Sequence, residues 1–315
     1  MYFKPKNLEE IIIQGNFEDN TYLAGGTDIV PLIKNGVKTI KKIINLSSIE
    51  EFRKIEVKED GVYIGAMVTL DEIGENENIH KYFPAIKQAA DATASKQIRN
   101  LGTIAGNIMQ DRRCIYFNQS DYWRSSMNPC FKTGGCVCYQ IKTSATCKAT
   151  YYSDLATALY VYDAKVEIFE DGKKNIISIQ ELIERHSENN GTTKNLKILI
   201  TRFLLSYTSD DLISVFKKIS VRSSIDFPTI NFAAKINKDN SDVKIIVGAV
   251  SNLPIALTNT EEMIKYKKET NIDKIIEAAV TEISKKSNIV KEATISPKVK
   301  RDSFKNIEFI LKELL

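Results

Sequence analysis

Residues 97–108 read QIRNLGTIAGNI, and residues 24–28 read AGGTD directly after the short apolar stretch TYL. Both are glycine turns beside strand candidates. Glycine permits positive φ and lets the backbone approach a ligand closely. Backbone N–H groups at such a turn form a nest for an anion, and a pyrophosphate suits it. Either turn alone is ordinary: neither is GxGxxG, and neither carries the Lys-Ser/Thr of a P-loop. Two such turns from distant parts of one chain can grip the two phosphates of one dinucleotide. Thr27 and Asp28 can add side-chain hydrogen bonds there.

Outward from these turns, the chain reads as a mixture of helices and strands. NLEEIIIQG is a helix candidate, and KKIINL is a β-branched strand. SSIEEFRKI carries a helix-start or turn signal. GVYIGAMVTLDEI reads as a strand, a turn and a helix capped near Thr69. FPAIKQAADATAS is a helix with Pro84 in its first turn. Further on, SDLATALYVYDA reads as a helix, and Asp154 can serve as its N-cap. AKVEIFEDGKKNIISI reads as a hairpin turning at Asp171 and Gly172. HSENNGTTKN reads as an exposed connection. Residues 216–250 offer strands with a polar turn at Asp239 to Asp242. Amphipathic helices follow near 260–268, 272–286 and 302–314. A boundary near 205–215 separates a mixed front from an antiparallel sheet with helices behind it.

All five cysteines fall between Cys114 and Cys147. Segregation of this kind points to a soft, thiolate-bound centre, for which iron–sulfur and zinc are the candidates; free thiols are the plain alternative. Structural zinc sites use pairs separated by about two to four residues; the gaps here are much wider, except between Cys136 and Cys138. The segment 110–148 lacks periodicity and reads as one irregular loop. Loops beyond about 15 residues are uncommon unless functional, and ligation would supply the missing core. Trp123, Tyr116 and Tyr122 are expected to pack around such a centre. Arg112, Arg113 and Arg124 either offset its negative charge or lie exposed.

The length of 315 residues suits about two domains. A net charge of +4, spread along the chain, gives no argument for nucleic acid. No apolar run of about 18 residues is present, and the first residues lack a signal-peptide pattern. A cytoplasmic protein is the default, where disulfides are rare. The two histidines, His80 and His186, show no metal spacing and are expected at the surface. This counts against His-based zinc hydrolases and Ser–His–Asp chemistry.

AGGTD, QIRNLGTIAGN and SDLATAL together resemble the FAD-binding subunits of the molybdenum hydroxylases, over nearly the whole chain. RCIYFNQSDYWR, NPCFKTGG, VCYQIK and TCKA are similar to a narrower group, the β-subunit of 4-hydroxybenzoyl-CoA reductase, whose inserted loop carries a 4Fe–4S cluster. The resemblance implies an α+β chain that is not a Rossmann fold. It has a two-subdomain FAD-binding fold, residues 1–56 (α/β) and 57–208, then a C-terminal α+β domain, residues 209–315, with an antiparallel sheet and helices. It implies FAD contacts from Ala24, Gly25, Gly26, Thr27 and Asp28 in the first loop. Thr103, Ile104, Gly106 and Asn107 match the second, where Ala105 stands in place of a glycine the family usually has. Asp154 matches an aspartate at the ribityl or ring end of the flavin. Leu199 and Lys217 match positions near the isoalloxazine. Cys114, Cys130, Cys138 and Cys147 match the four cluster ligands, with Cys136 a possible substitute for Cys138.

The activity so implied is electron transfer between an external carrier, ferredoxin-like for a reductive enzyme, and partner subunits. Those partners are a molybdopterin-containing large subunit and a small subunit with 2Fe–2S clusters. Substrate chemistry belongs to molybdenum, so no catalytic acid or base is expected here. The rival reading within the family is the flavin subunit of an oxidative hydroxylase for a purine, N-heterocycle or aldehyde. The rival outside it is a zinc-stabilised binding module.

Overall fold

A computed structural model describes every residue except 14–19, 194–195, 209–211, 223–224, 238–241 and 267–268. Its described strands form three sheets. The first is a small parallel sheet of β1 (Tyr2–Phe3), β2 (Asn20–Leu23) and β3 (Lys42–Asn45), ordered β1-β3-β2. The second comprises β4 (Ile55–Lys58), β5 (Gly61–Gly65), β6 (Lys165–Glu170), β7 (Lys173–Ser178) and β8 (Leu199–Ser206). Its order is β4-β5-β8-β6-β7, antiparallel throughout. The third runs β12-β11-β10-β9, from β9 (Leu212–Ile219), β10 (Ile230–Asn237), β11 (Asp242–Gly248) and β12 (Ile255–Ala256).

Local chemistry explains several elements. Asp171 and Gly172 both take positive φ, 50° and 80°, which is the twist that a two-residue hairpin between β6 and β7 requires. Thr69 caps the helix Leu70–Glu75 in a reciprocal box with Glu72. Pro84 opens the helix Pro84–Asp91, where its missing N–H costs nothing.

The third sheet is apolar on both faces. Val215, Phe232, Ala234, Ile245 and Val247 point to the helices Ile272–Lys286 and Ile307–Leu314. Phe216, Ala233 and Ile246, directly paired across the strands, point to the main core with the helices Pro84–Asp91 and Asp154–Val161. The period-two alternation of side chains thus joins the C-terminal layer to the rest of the chain.

Two readings are corrected, and a third lies mostly outside the described residues. HSENNGTTKN is not an exposed connection: the helix Ile179–Glu188 runs through its start, and His186, Ser187 and Thr192 are buried. His186 packs edge-on against Tyr151 and is 1 % exposed, whereas His80 is at the surface. Of the turn expected at Asp239 to Asp242, residues 239–241 lie outside the described residues, and Asp242 begins β11. No helix among the described residues is long and apolar enough to cross a membrane.

Burial makes His186 a titration-linked group. Burial first, then the positive charges of Arg112, Lys132 and Lys38, hold its pKa well below the ordinary histidine value. Both ring nitrogens lack a protein hydrogen-bond partner. A depressed folded pKa means that the unfolded chain binds more protons, so this contribution is present above the ordinary value and is lost as pH falls. His186→Phe is expected to flatten the loss of thermal stability between pH 7 and pH 5. An unchanged slope in melting curves would remove His186 as its source.

Candidate functional site

The two glycine turns meet. The first follows β2, and the second leads into the short helix Ile104–Ile108, whose N-cap Thr103 accepts from Gly106 N. A Cβ placed on Gly25 would lie 1.7 Å from the Leu101 carbonyl oxygen. Gly25 is therefore glycine because the second turn presses on it. Gly26 has φ +75°, the left-handed region that disfavours side chains. The Gly102 carbonyl accepts from Leu70 N, and Ile104 N donates to Val68 O at 2.9 Å, so the second turn is strapped to the segment after β5.

Two open cavities lie on either side of this junction. Both are lined by Thr27, Asp28, Thr103, Gly106 and Gln110. One end is largely apolar, with Leu46, Met67, Ile198 and Leu199. Asn20 and Tyr22 also face that end, and Asn20 Oδ1 and the Tyr22 hydroxyl are buried without a protein partner. Burial pushes the Tyr22 pKa up, so it stays a neutral phenol able to donate. The opposite end holds Asn107, Arg113, Tyr152, Asp154 and Lys218. Arg113 Nε is likewise unpartnered there. Buried polar atoms usually find partners; orphans aimed into an elongated cleft are what a dinucleotide would satisfy, so the residues present fit FAD.

Asp154 is fully buried yet not alone. Its carboxylate accepts from Lys218 Nζ at 3.0 Å and Asn231 Nδ2 at 2.5 Å. Lys218 and Asn231 are cross-strand neighbours on β9 and β10. Burial raises the Asp154 pKa, and Lys218 and Asn231 pull against it. The helix cap is Ser153, which accepts from Ala156 N and donates to Asn107 Oδ1 at 2.6 Å. That bond ties the second glycine turn to the Asp154 helix.

Several expected positions are placed differently. Lys217 points away from the cleft and pairs with Glu313 at 2.8 Å; Lys218 takes the place expected of it. Adjacent strand residues face opposite sides, so a shift of one position reverses the assignment. Ile104 is wholly buried in the core and lines neither cavity. Ala24, Gly25, Gly26 and Ala105 line the first cavity, and Asn107 the second. Leu199 and Asp154, both expected near the ring, lie at opposite ends. Asn20, Tyr22, Gln110 and Asn231 carried no signal in the sequence beyond ordinary polar and aromatic strand or loop residues.

The cysteine segment is irregular apart from one turn of helix, Asp121–Arg124, and one of 3-10 helix, Phe131–Thr133. Cys114, Cys130, Cys138 and Cys147 line a common small pocket, and Cys136 is exposed outside it. No group of three or more His, Cys, Asp or Glu among the described residues converges on a single-ion site. The four thiols share one pocket wall, a donor set of the soft kind that iron–sulfur centres use. Burial pushes the Cys147 thiol up, while the Ala149 backbone and Lys132 act against it. Gln140 Nε2 lies 3.9 Å from Cys114 Sγ.

Tyr116 and Phe117 line the cavity, but Tyr122 and Trp123 are exposed and do not pack around it. Arg112 is not a surface residue: it is buried and donates to Ser187 Oγ at 2.7 Å. Arg113 belongs to the cleft and donates to Asp28 Oδ1 at 2.6 Å. Arg124 pairs with Asp121 and donates to Phe117 O and Val37 O. The loop is fastened from the C-terminal part of the chain, where the Gln140 amide makes two hydrogen bonds to the Lys291 backbone, 2.8 and 3.0 Å. Thr150 bonds Glu292, which pairs with the buried Lys300.

Comparison with known proteins gives a consistent result. The family described as "FAD binding domain in molybdopterin dehydrogenase" matches residues 1–203. The chain is 28% identical over 249 residues to the aldehyde oxidoreductase FAD-binding subunit PaoB of Escherichia coli (strain K12), covering 74% of this chain and 75% of that one. It is 36% identical over 110 residues to the nicotinate dehydrogenase FAD-subunit of Eubacterium barkeri, 34% of this chain and 37% of that one. Among solved structures, quinoline 2-oxidoreductase from Pseudomonas putida 86 superposes with a TM-score of 0.75 at 14% identity, covering 99% of this chain and 95% of that one. The carbon monoxide dehydrogenase of Hydrogenophaga pseudoflava lacking the Mo-pyranopterin moiety gives a TM-score of 0.75 at 16% identity, over 98% and 93%.

Proposed function

Because the chain belongs to the FAD-binding domains of the molybdopterin dehydrogenases, we propose that it is the electron-transfer subunit of such a complex, holding FAD along the cleft and a 4Fe–4S cluster in the cysteine loop. The observation that carries the reading is the cleft itself, two cavities joined at the paired glycine turns. The pyrophosphate lies at the junction of Thr27, Asp28, Thr103 and Gly106. The isoalloxazine takes the end with Asp154, Lys218 and Arg113, where charge and hydrogen-bond donors suit its polar ring. The adenosine half takes the end with Tyr22, Asn20 and Leu199. We take residues 1–56, 57–208 and 209–315 as the three units; the second sheet crosses the first boundary at β4 (Ile55–Lys58).

FAD supplies two-electron chemistry that can be released in single-electron steps. The chain contributes binding and orientation. The two glycine turns fix the phosphates, Asp154 and Lys218 present a fixed ion pair to the ring, and the Gly25 contact keeps the turns in register. No residue is assigned as a general acid or base, because substrate chemistry belongs to a molybdopterin-containing partner. A small 2Fe–2S subunit is the other partner, a ferredoxin-like carrier serves the reductive reading, and a cytoplasmic complex suits both cofactors.

The cluster favours a reductase of the 4-hydroxybenzoyl-CoA type. The likeness to an aldehyde oxidoreductase subunit keeps the oxidative flavin subunit as the second reading. Anaerobically purified protein is expected to show flavin bands and a broad iron–sulfur shoulder, with four irons and four sulfides per chain. Flavin without iron would leave the oxidative reading; zinc without flavin would sink both. Cys130→Ser is expected to lose the iron and keep most of the flavin, whereas Cys136→Ser keeps both. Full iron in the Cys130 variant would strike that thiol from the ligand set.

A further inference from the structure

Among the described residues, Lys132 is the one lysine on the wall of the four-thiol pocket. Its side chain is 1 % exposed. The ammonium donates to the Arg112 carbonyl at 2.7 Å, lies 4.3 Å from the centre of the Phe117 ring, and stands 3.9 Å from Asp111 Oδ1. Asp111 is shared: its other oxygen pairs with Lys38, and its backbone N–H donates to Asp28 Oδ2 at 3.0 Å. A buried lysine costs stability unless something opposite in charge repays it. A single carboxylate at 3.9 Å, already committed to Lys38, repays little.

We propose that Lys132 sets the reduction potential of the centre held by Cys114, Cys130, Cys138 and Cys147, with Asp111 as its counterweight. The inference rests on the cluster reading above. A cluster with four thiolate ligands is anionic, and each electron accepted adds negative charge. A fixed positive charge in the wall favours the reduced state, and burial keeps the field from being screened by salt. Asp111 opposes it from the far side of the ammonium, toward the flavin cleft. Lys132 touches no reacting atom; it acts on the energy of the electron.

The test uses full-length protein prepared anaerobically with both cofactors. Wild type, Lys132→Met and Asp111→Asn are titrated potentiometrically, with the reduced-cluster EPR signal as readout and iron and FAD content measured alongside. Lys132→Met is expected to shift the one-electron equilibrium against reduction at least tenfold, about 59 mV more negative. Asp111→Asn is expected to shift it the other way. Loss of packing alone does not produce opposite signs from two adjacent groups. Iron-loaded variants with wild-type midpoints, or midpoints moving in the same direction, would overturn the assignment. If Lys132→Met fails to load iron, Asp111→Asn decides: a raised midpoint supports the proposal and an unmoved one overturns it. Wild-type protein without iron and sulfide would instead remove the cluster reading.

Discussion

Gly25→Ala is expected to strip most of the flavin from the protein. The added methyl carbon would stand 1.7 Å from the Leu101 carbonyl oxygen, 2.6 Å from the Leu101 carbon and 3.1 Å from Gly102 N. All three are backbone atoms, so no side chain can swing aside. The two turns must separate, and they separate where both cavities share their lining. Forcing an extra carbon into a packed contact costs about 1–3 kcal/mol, which as lost affinity is about 5- to 150-fold. The global fold is expected to survive, since the contact joins two loops rather than two core layers. Isothermal titration of deflavinated variant with FAD reads the effect. Wild-type affinity would show that the turns do not act together on the ligand. Gly172→Ala is the control. A Cβ there meets nothing within 4 Å, and the backbone strain of its φ of +80° stays in the β6–β7 hairpin, so it tests a strained glycine replacement away from the turns.

Lys218→Met is expected to destabilise the protein by about 3–5 kcal/mol, the usual cost of orphaning a buried charge. Asp154 and Lys218 are both almost fully buried and 3.0 Å apart. Asn231 and Thr93, both neutral, would be left to hold the carboxylate. The penalty should depend on pH, and its sign follows from the raised Asp154 pKa. A carboxyl with a raised folded pKa contributes stability that is fully present below the unfolded value and lost as pH rises through the folded one. Removing Lys218 raises the folded value further. The variant's deficit therefore grows toward neutral pH and shrinks on acidification. Urea unfolding at several pH values measures this. Asp154→Asn added to Lys218→Met should recover much of the loss, because the stranded charge is gone. A deficit independent of pH, with no recovery in the double variant, would show that packing and not charge sets the cost.

The glycine turns, the Thr69 cap and the Asp171–Gly172 turn were legible because each is written in residues whose backbone or side-chain chemistry is local. The cysteine loop was legible for the opposite reason: it has no periodicity at all, and its thiols have no neighbours elsewhere in the chain. What could not be read was which side of an element faces the cleft. Lys217 and Lys218 are identical in type and adjacent, and only the pairing of β9 with β10 separates them. Asn231 sits in INFAAKIN, where nothing local distinguishes it from Asn237. His186 was misplaced because SENN after it suggested solvent, while helix periodicity carries its ring inward. Asn20 and Tyr22 required the third dimension, since their neighbours in the cleft come from residues 103–110 and 196–200.

The fastening of Gln140 to the Lys291 backbone has a bearing on biogenesis. The thiols, at residues 114–147, are made well before the clamp at residue 291 that holds their loop. During synthesis the nascent loop emerges, thiols free, well before residue 291 leaves the ribosome. A cluster of the kind proposed would gain this brace only after residue 291 has emerged, and a chain truncated ahead of that position would present the four thiols without it.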